Sequence, residues 1–163
     1  KSIVARLQSR AGSGEPTLLA FDAYVHELIE HWRLIRPGAS CRVELRGAMP
    51  APTLVADAAL GQAVVNLLNN AADASSDSIV LEASWTAEAV AIAVKDRGPG
   101  IAREVLVKLG REPLTTKALG HAGLGLVLAR STVDHFGGEL CLSNEPSGGL
   151  TAQLRLPLAA LQH

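Results

Sequence analysis

Neither sign of charge dominates the 163 residues. Fifteen Lys and Arg stand against 16 Asp and Glu, and a net charge of -1 supplies no basic footprint for a nucleic-acid partner. Aromatic residues are scarce at 3%, which argues against an aromatic-rich β fold. It leaves a core of mainly Leu, Val, Ile and Ala, as an α/β sandwich requires. There are only two cysteines, Cys41 and Cys141, far apart in strand-like runs. They read as buried reduced thiols and form neither a disulfide framework nor a zinc spacing. No apolar run approaches the length of about 18 residues that suggests a membrane span, and the amino end carries no signal-peptide pattern. Two standard nucleotide loops are missing as well. Gly120 to Leu126 lacks the Gly-Lys-Ser/Thr ending of a Walker loop, and Gly98-Pro-Gly100 does not continue to the third glycine of a dinucleotide fingerprint.

With 48% hydrophobic and 19% charged residues, the chain is long and apolar enough to bury one core. It begins at Lys1 rather than Met, so the expectation is a piece of a longer protein. Lys1 to about Arg10 reads as the end of a preceding helix and Ala11-Gly-Ser-Gly-Glu-Pro16 as a linker, leaving a domain over 17–163. Asp22 is the expected N-cap of a helix through Ile35, stopped by Pro37-Gly38. Cys41 to Leu45 alternates like a strand, with Thr53 to Val55 expected beside it. Ser78 to Trp85 and Ala89 to Lys95 form a predicted hairpin, and Ala102 to Ala122 reads as a long irregular segment. A helix over Leu124 to Phe136 ends at Gly137-Gly138, before strands near Glu139 to Leu142 and Leu150 to Leu156.

Three segments carry chemistry. From Leu60 to Ser75, Leu60, Ala63, Val64, Leu67, Leu68 and Ala71 recur at the spacing of one buried helix face. Gln62, Asn66, Asn70 and Asp73 fall on another face, where oxygen ligands for a hard cation such as magnesium converge. Solvated faces more often carry Lys and Glu, better helix formers than Asn. Asp96-Arg-Gly-Pro-Gly100 follows a buried strand and places a carboxylate at the mouth of the sheet, able to accept a hydrogen bond from an exocyclic amine such as that of adenine. Gly120-His-Ala-Gly-Leu-Gly-Leu126 opens a helix, whose unpaired N–H groups and positive dipole end suit phosphate.

Taken in order, these segments resemble the N box and the two glycine boxes of the catalytic ATP-binding domain of sensor histidine kinases, in the GHKL superfamily with its Bergerat fold. The resemblance covers roughly Ala56 to Pro157 and is closest to the redox-responsive RegB-like kinases. Glu112-Pro-Leu-Thr-Thr-Lys117 resembles the lid box, with Leu114 where Phe is commoner, and Ser147-Gly-Gly-Leu-Thr151 resembles the run into the final strand. The implied fold is α+β, a two-layer sandwich of a mixed sheet on helices with an ATP lid. The implied ligands are ATP and magnesium.

By resemblance, Asn70 coordinates magnesium and Asn66 lies alongside the phosphates, with Asp73 on the same face. Asp96 selects adenine, and Gly98, Gly100 and Ile101 let the purine and lid pack closely. Gly123, Leu124, Gly125 and Leu126 present backbone N–H groups to the phosphates, Thr116 and Lys117 contact them from the lid, and Thr151 supports Asp96. Asn66, Asn70 and Lys117 are the residues implied for catalysis. Two positions depart from the family: Asp73 stands where Lys or Arg is common, a charge for Lys117 or Arg97 to supply, and His121 stands where Gly is common.

Position 66 separates functions within the fold. Gyrase-like ATPases carry Glu there as the general base on water, whereas Asn66 accepts no proton at neutral pH, so hydrolysis should be poor and phosphoryl transfer is preferred. The family's phosphorylated His opens a His-Glu-x-x-x-Pro segment. The nearest string here, His26-Glu-Leu-Ile-Glu-His31, lacks the proline. The expected function is therefore presentation of Mg-ATP to a histidine on a separate dimerisation domain of the same parent, followed by a response regulator, in a cytoplasmic position. The parent is expected to be a membrane-anchored homodimer, and this piece a monomer that does not phosphorylate itself. The alternatives are a degenerate nucleotide-binding switch and an anti-sigma-type protein serine kinase.

Overall fold

The computed structural model describes residues 16–109 and 123–162. The short strand β1 (Leu18–Ala20) leads directly into helix α1 (Phe21–Ile35). Asp22 lies inside the first turn instead of capping it; Ala20 holds the cap position, and the Phe21 N–H donates to the Pro52 carbonyl at 2.8 Å. The aromatic residues, few as they are, gather here. Phe21, Tyr24 and Trp32 are fully buried along one face of α1, and Phe21 meets Trp85 edge-on with ring centroids 5.9 Å apart.

Strand β2 (Cys41–Arg46) is followed by β3 (Thr53–Val55), which pairs antiparallel with β1 and not with β2. This small ladder, extended by the Ala56 N–H to Thr17 carbonyl bond of 2.8 Å, ties the start of α1 to the start of helix α2 (Ala58–Ala74). The hairpin strands β4 (Ile79–Trp85) and β5 (Ala89–Lys95) come next, then α3 (Arg103–Leu109) inside the stretch expected to be irregular. Helix α4 (Gly123–His135), β6 (Glu139–Asn144), β7 (Leu150–Pro157) and a 3-10 turn (Leu158–Leu161) complete the described chain.

The main sheet has the order β2-β4-β5-β7-β6 and is parallel only between β2 and β4. Alternation aims one face at the helices. Ile79, Leu81, Ala83 and Trp85 of β4, Val90, Ile92 and Val94 of β5, and Ala152, Leu154 and Leu156 of β7 are all buried. Helix α2 occupies the middle of the covering layer, against α4 on one side and α1 on the other. The result is a two-layer α+β sandwich. Cys41 is buried at the start of β2, but Cys141 lies exposed on the edge strand β6, because its odd register in Leu-Cys-Leu turns it away from the helices.

Candidate functional site

Helix α2 is fixed before any ligand arrives. Asp57 caps it through Oδ1, which accepts from the Leu60 N–H at 2.9 Å, while the Asp57 carbonyl accepts from the Tyr24 hydroxyl at 2.8 Å. Further along, Trp32 Nε1 donates to Asn69 Oδ1 at 2.9 Å, and Arg36 pairs with Asp73 at 2.9 Å. These bonds from α1 set the rotation of α2. Its apolar stripe is buried on the sheet, and its amide stripe runs along the margin facing α4.

The amide side chains are not equivalent. Gln62 Nε2 donates to Asn66 Oδ1 at 3.1 Å, and among the described residues the Asn66 amide nitrogen donates to none. Asn70 Nδ2 is buried and has no partner among the described residues. Side-chain amide ends are distinguished by their hydrogen bonds, and an end with no protein partner suits a ligand. A Cβ placed on Gly125, in the first turn of α4, would lie 3.5 Å from the Asn70 amide and 3.6 Å from Asn66. The described amino end of α4 therefore faces the two asparagines.

Beyond Asn70 a cavity of about 100 Å³ opens between α2 and the ends of β5 and β7. Leu67, Ala71 and Ala74 form one wall, Val94, Leu150 and Ala152 the other, and Leu126 closes the side nearest α4. Asp96, only 7% exposed, supplies its carboxylate. Asp96 Oδ1 accepts from the Gly98 N–H at 2.9 Å and the Leu150 N–H at 3.2 Å, so that oxygen is occupied and the side chain held. Oδ2 takes no hydrogen bond from a described residue and is the acceptor offered to the cavity. Gly98 allows the close approach of this loop to α2, since a Cβ there would stand 2.7 Å from that of Ala74. Gly100, at φ +74°, turns the chain so that Ile101 joins the lining.

The structure thus brings Asn66, Asn70, Asp96, Gly98, Gly100, Ile101, Gly125 and Leu126 around one cleft, with Gly123 at the described start of α4. Leu124 points outward, 61% exposed, so its backbone alone is at the mouth. Asp73 turns toward Arg36 and away from the cavity. Thr151 is placed otherwise than expected: its hydroxyl donates to Glu145, and Leu150 is the residue that steadies Asp96. Strand alternation explains this, because Leu150 and Ala152 face the helices and the residue between them faces away. Thr116, Lys117 and His121 lie outside the described residues. Among the described residues no group of three or more His, Cys, Asp or Glu could cage a metal. A magnesium ion here would take the Asn70 amide oxygen and oxygens from the nucleotide itself, which fits its preference for few protein ligands.

Comparison with known proteins agrees with this geometry. Residues 56–160 match the family described as histidine kinase-, DNA gyrase B-, and HSP90-like ATPases. The sensor histidine kinase GtrS of Pseudomonas aeruginosa is 36% identical over 126 residues, covering 76% of this chain and 26% of that protein. The histidine protein kinase DivJ of Caulobacter vibrioides is 35% identical, covering 71% of this chain and 21% of DivJ. The chain therefore spans about a quarter or less of the length of these two relatives. In fold it is similar to the catalytic domain of the histidine kinase ThkA, with a TM-score of 0.68 at 22% identity over 88% of this chain and 97% of that one. The chain belongs to the histidine kinase-, DNA gyrase B- and HSP90-like ATPase family, as an ATP-binding catalytic domain of the sensor histidine kinase type.

Proposed function

We propose that this domain holds Mg-ATP in the cleft between α2 and α4 and presents the terminal phosphate to a histidine carried by another domain of its parent. The observation that carries the reading is the pairing of two unsatisfied groups. Among the described residues, Asp96 has a carboxylate oxygen that takes no hydrogen bond inside an apolar slot, and Asn70 has a buried, unpartnered amide N–H donor at the slot's outer end. A purine amino group suits the first, and a phosphate oxygen suits the N–H donor of the second, whose amide oxygen would be the ligand for magnesium.

In this arrangement Asp96 Oδ2 accepts the hydrogen bond of the adenine amino group while Leu67, Val94 and Leu126 exclude water from the ring faces. Asn66, with its oxygen taken by Gln62, donates to a phosphate oxygen. Backbone N–H groups from Gly123 to Leu126 face the same phosphates, with the dipole of α4 behind them. Magnesium, when bound, neutralises charge that develops on the phosphates during transfer. Asn66 has no basic oxygen with which to deprotonate water, so the site favours an imidazole nucleophile from outside over hydrolysis. Thr116 and Lys117 are proposed to contact the phosphates from the lid. The parent is proposed to be a dimer acting on a response regulator. No described helix is long and apolar enough to cross a membrane, and attachment of the parent is assigned to its remaining length.

Calorimetric titration with ATP tests the first half of this proposal. Magnesium-dependent binding is expected, and Asn70→Ala should abolish the magnesium dependence while Asp96→Asn lowers the preference for adenine over guanine nucleotides. Incubation with labelled ATP and the histidine-bearing domain of the parent tests the second half. Acid-labile label on that domain is expected. Acid-stable label would indicate serine transfer, and Mg-ATP binding without any label would indicate a switch module.

A further inference from the structure

We propose that Asn144 is a positioning residue for nucleotide binding, which sets the width of the purine slot by clamping the main chain of Ile101. The inference rests on reading the cavity beside Asp96 as a purine slot. Strand β6 runs Leu-Cys-Leu-Ser-Asn, and alternation puts Leu140, Leu142 and Asn144 on the side that faces the helices. The two leucines enter the core, whereas the third inward position, at the open end of the sheet, holds an amide. That amide reproduces the paired bonds of a β-bridge. The Ile101 N–H donates to Asn144 Oδ1 at 2.8 Å, and Asn144 Nδ2 donates to the Ile101 carbonyl.

Few other bonds hold this part of the loop. Gly98 is anchored by Asp96, and the Ala102 carbonyl starts α3, so between them Asn144 provides the fixed point among the described residues. Gly100 is shaped around it: a Cβ at that position would stand 2.4 Å from Asn144 Oδ1. Asn144 also stands opposite Leu150 in the β6–β7 register, and the Leu150 N–H holds Asp96 Oδ1. Asp96, Leu150, Asn144 and Ile101 thus form a linked frame around the slot. Asp96 and Leu150 fix its inner edge, and Asn144 fixes Ile101 at the opposite edge. A roof held at one height selects a flat ring and lets both faces make contact; a loose roof makes the ligand order it on binding.

Asn144 is exposed and carries no core contact of its own, so its removal should be felt in binding rather than in stability. Asn144→Ala is expected to weaken Mg-ATP and Mg-ADP about tenfold each, the scale of one net hydrogen bond. The ratio of affinities with and without magnesium should stay as in the parent protein, because the phosphate end is untouched. Asn144→Asp keeps an acceptor for the Ile101 N–H but loses the donor to its carbonyl, and should fall between the two. Thermal denaturation of both variants should follow the parent protein. Undiminished nucleotide affinity in Asn144→Ala would overturn the role, as would a loss shared with a collapse of the melting temperature in both variants. If the folded parent protein binds no adenine nucleotide, the reading of the slot itself fails and this role falls with it. If it binds and the variants bind equally well, only the clamp fails.

Discussion

Burial, aided by the negative charge of Asp57, pushes the Tyr24 phenol far above its ordinary pKa. The hydroxyl is fully buried and donates to the Asp57 carbonyl, an oxygen that would repel a phenolate. A folded-state pKa raised in an acid that is neutral when protonated contributes stability below the unfolded value of about 10 and loses it as pH rises beyond. Cys41, whose thiol burial also pushes up, adds the same sign from about pH 8.5. Urea midpoints measured from pH 7 to 11 should therefore fall on the alkaline side. Tyr24→Phe should cost about 1 kcal/mol at pH 7 and flatten that fall, since the hydrogen bond and the titrating group leave together. A parallel fall in parent and variant would mean that folding does not shift the Tyr24 pKa. The Arg36–Asp73 pair is of another kind, with side chains 34% and 69% exposed. Such pairs are worth less than about 1 kcal/mol, so Asp73→Asn should leave stability nearly unchanged. Removing a carboxylate one turn from Asn70 should instead tighten Mg-ATP binding slightly, by about twofold, most visibly at low salt.

Two helices meet edge to edge at the proposed phosphate site, and their closeness depends on one residue. The Cβ of an alanine at position 125 would make ordinary contacts of 3.5–3.6 Å with Asn70 and Asn66. Gly125→Ala should fold, with a gain of up to about 0.5–1 kcal/mol from helix propensity. The same methyl group would occupy the space between the amides and the amino end of α4, so magnesium-dependent ATP binding should drop while the melting temperature holds or rises. Binding equal to the parent protein would place the phosphates elsewhere. Elements whose periodicity was strong were legible in the sequence: α2, the β4–β5 hairpin and α4 all stand where the pattern puts them. Partnership between strands was not. Thr53 to Val55 has no feature in three residues to distinguish β1 from β2, and tertiary placement of α1 decides it. Of the candidate site, the groups on α2, at Asp96 and in the first turn of α4 were legible because loop glycines and amides are unusual where they occur. Leu150 acts through its backbone, which no side-chain pattern reveals. Asn144 had a readable signal, a polar residue in an inward series of leucines, but its meaning needs Ile101 beside it.

At the scale of the whole molecule, the cleft is proposed to recognise adenine and position the phosphates, and among the described residues no nucleophile and no base stands at its phosphate end. The chain covers 26% of GtrS and 21% of DivJ, so most of such a protein lies outside this fold. A phosphoryl-transfer site of this kind lowers its barrier by alignment and charge stabilisation, which serve water and imidazole alike. The difference lies at position 66. Asn66 has its oxygen engaged by Gln62 at 3.1 Å and cannot take a proton from water. The domain alone should therefore release inorganic phosphate from Mg-ATP very slowly, even when saturated. Asn66→Glu places a basic oxygen at the same point of α2, where Gln62 can still hydrogen-bond to it, and release should rise by about tenfold or more. ATP affinity should fall at the same time, because a carboxylate then faces the phosphates. Phosphate release and affinity measured side by side decide the matter. If the parent protein already hydrolyses Mg-ATP as fast as Asn66→Glu, some other group activates water, and transfer to an external histidine loses its physical basis.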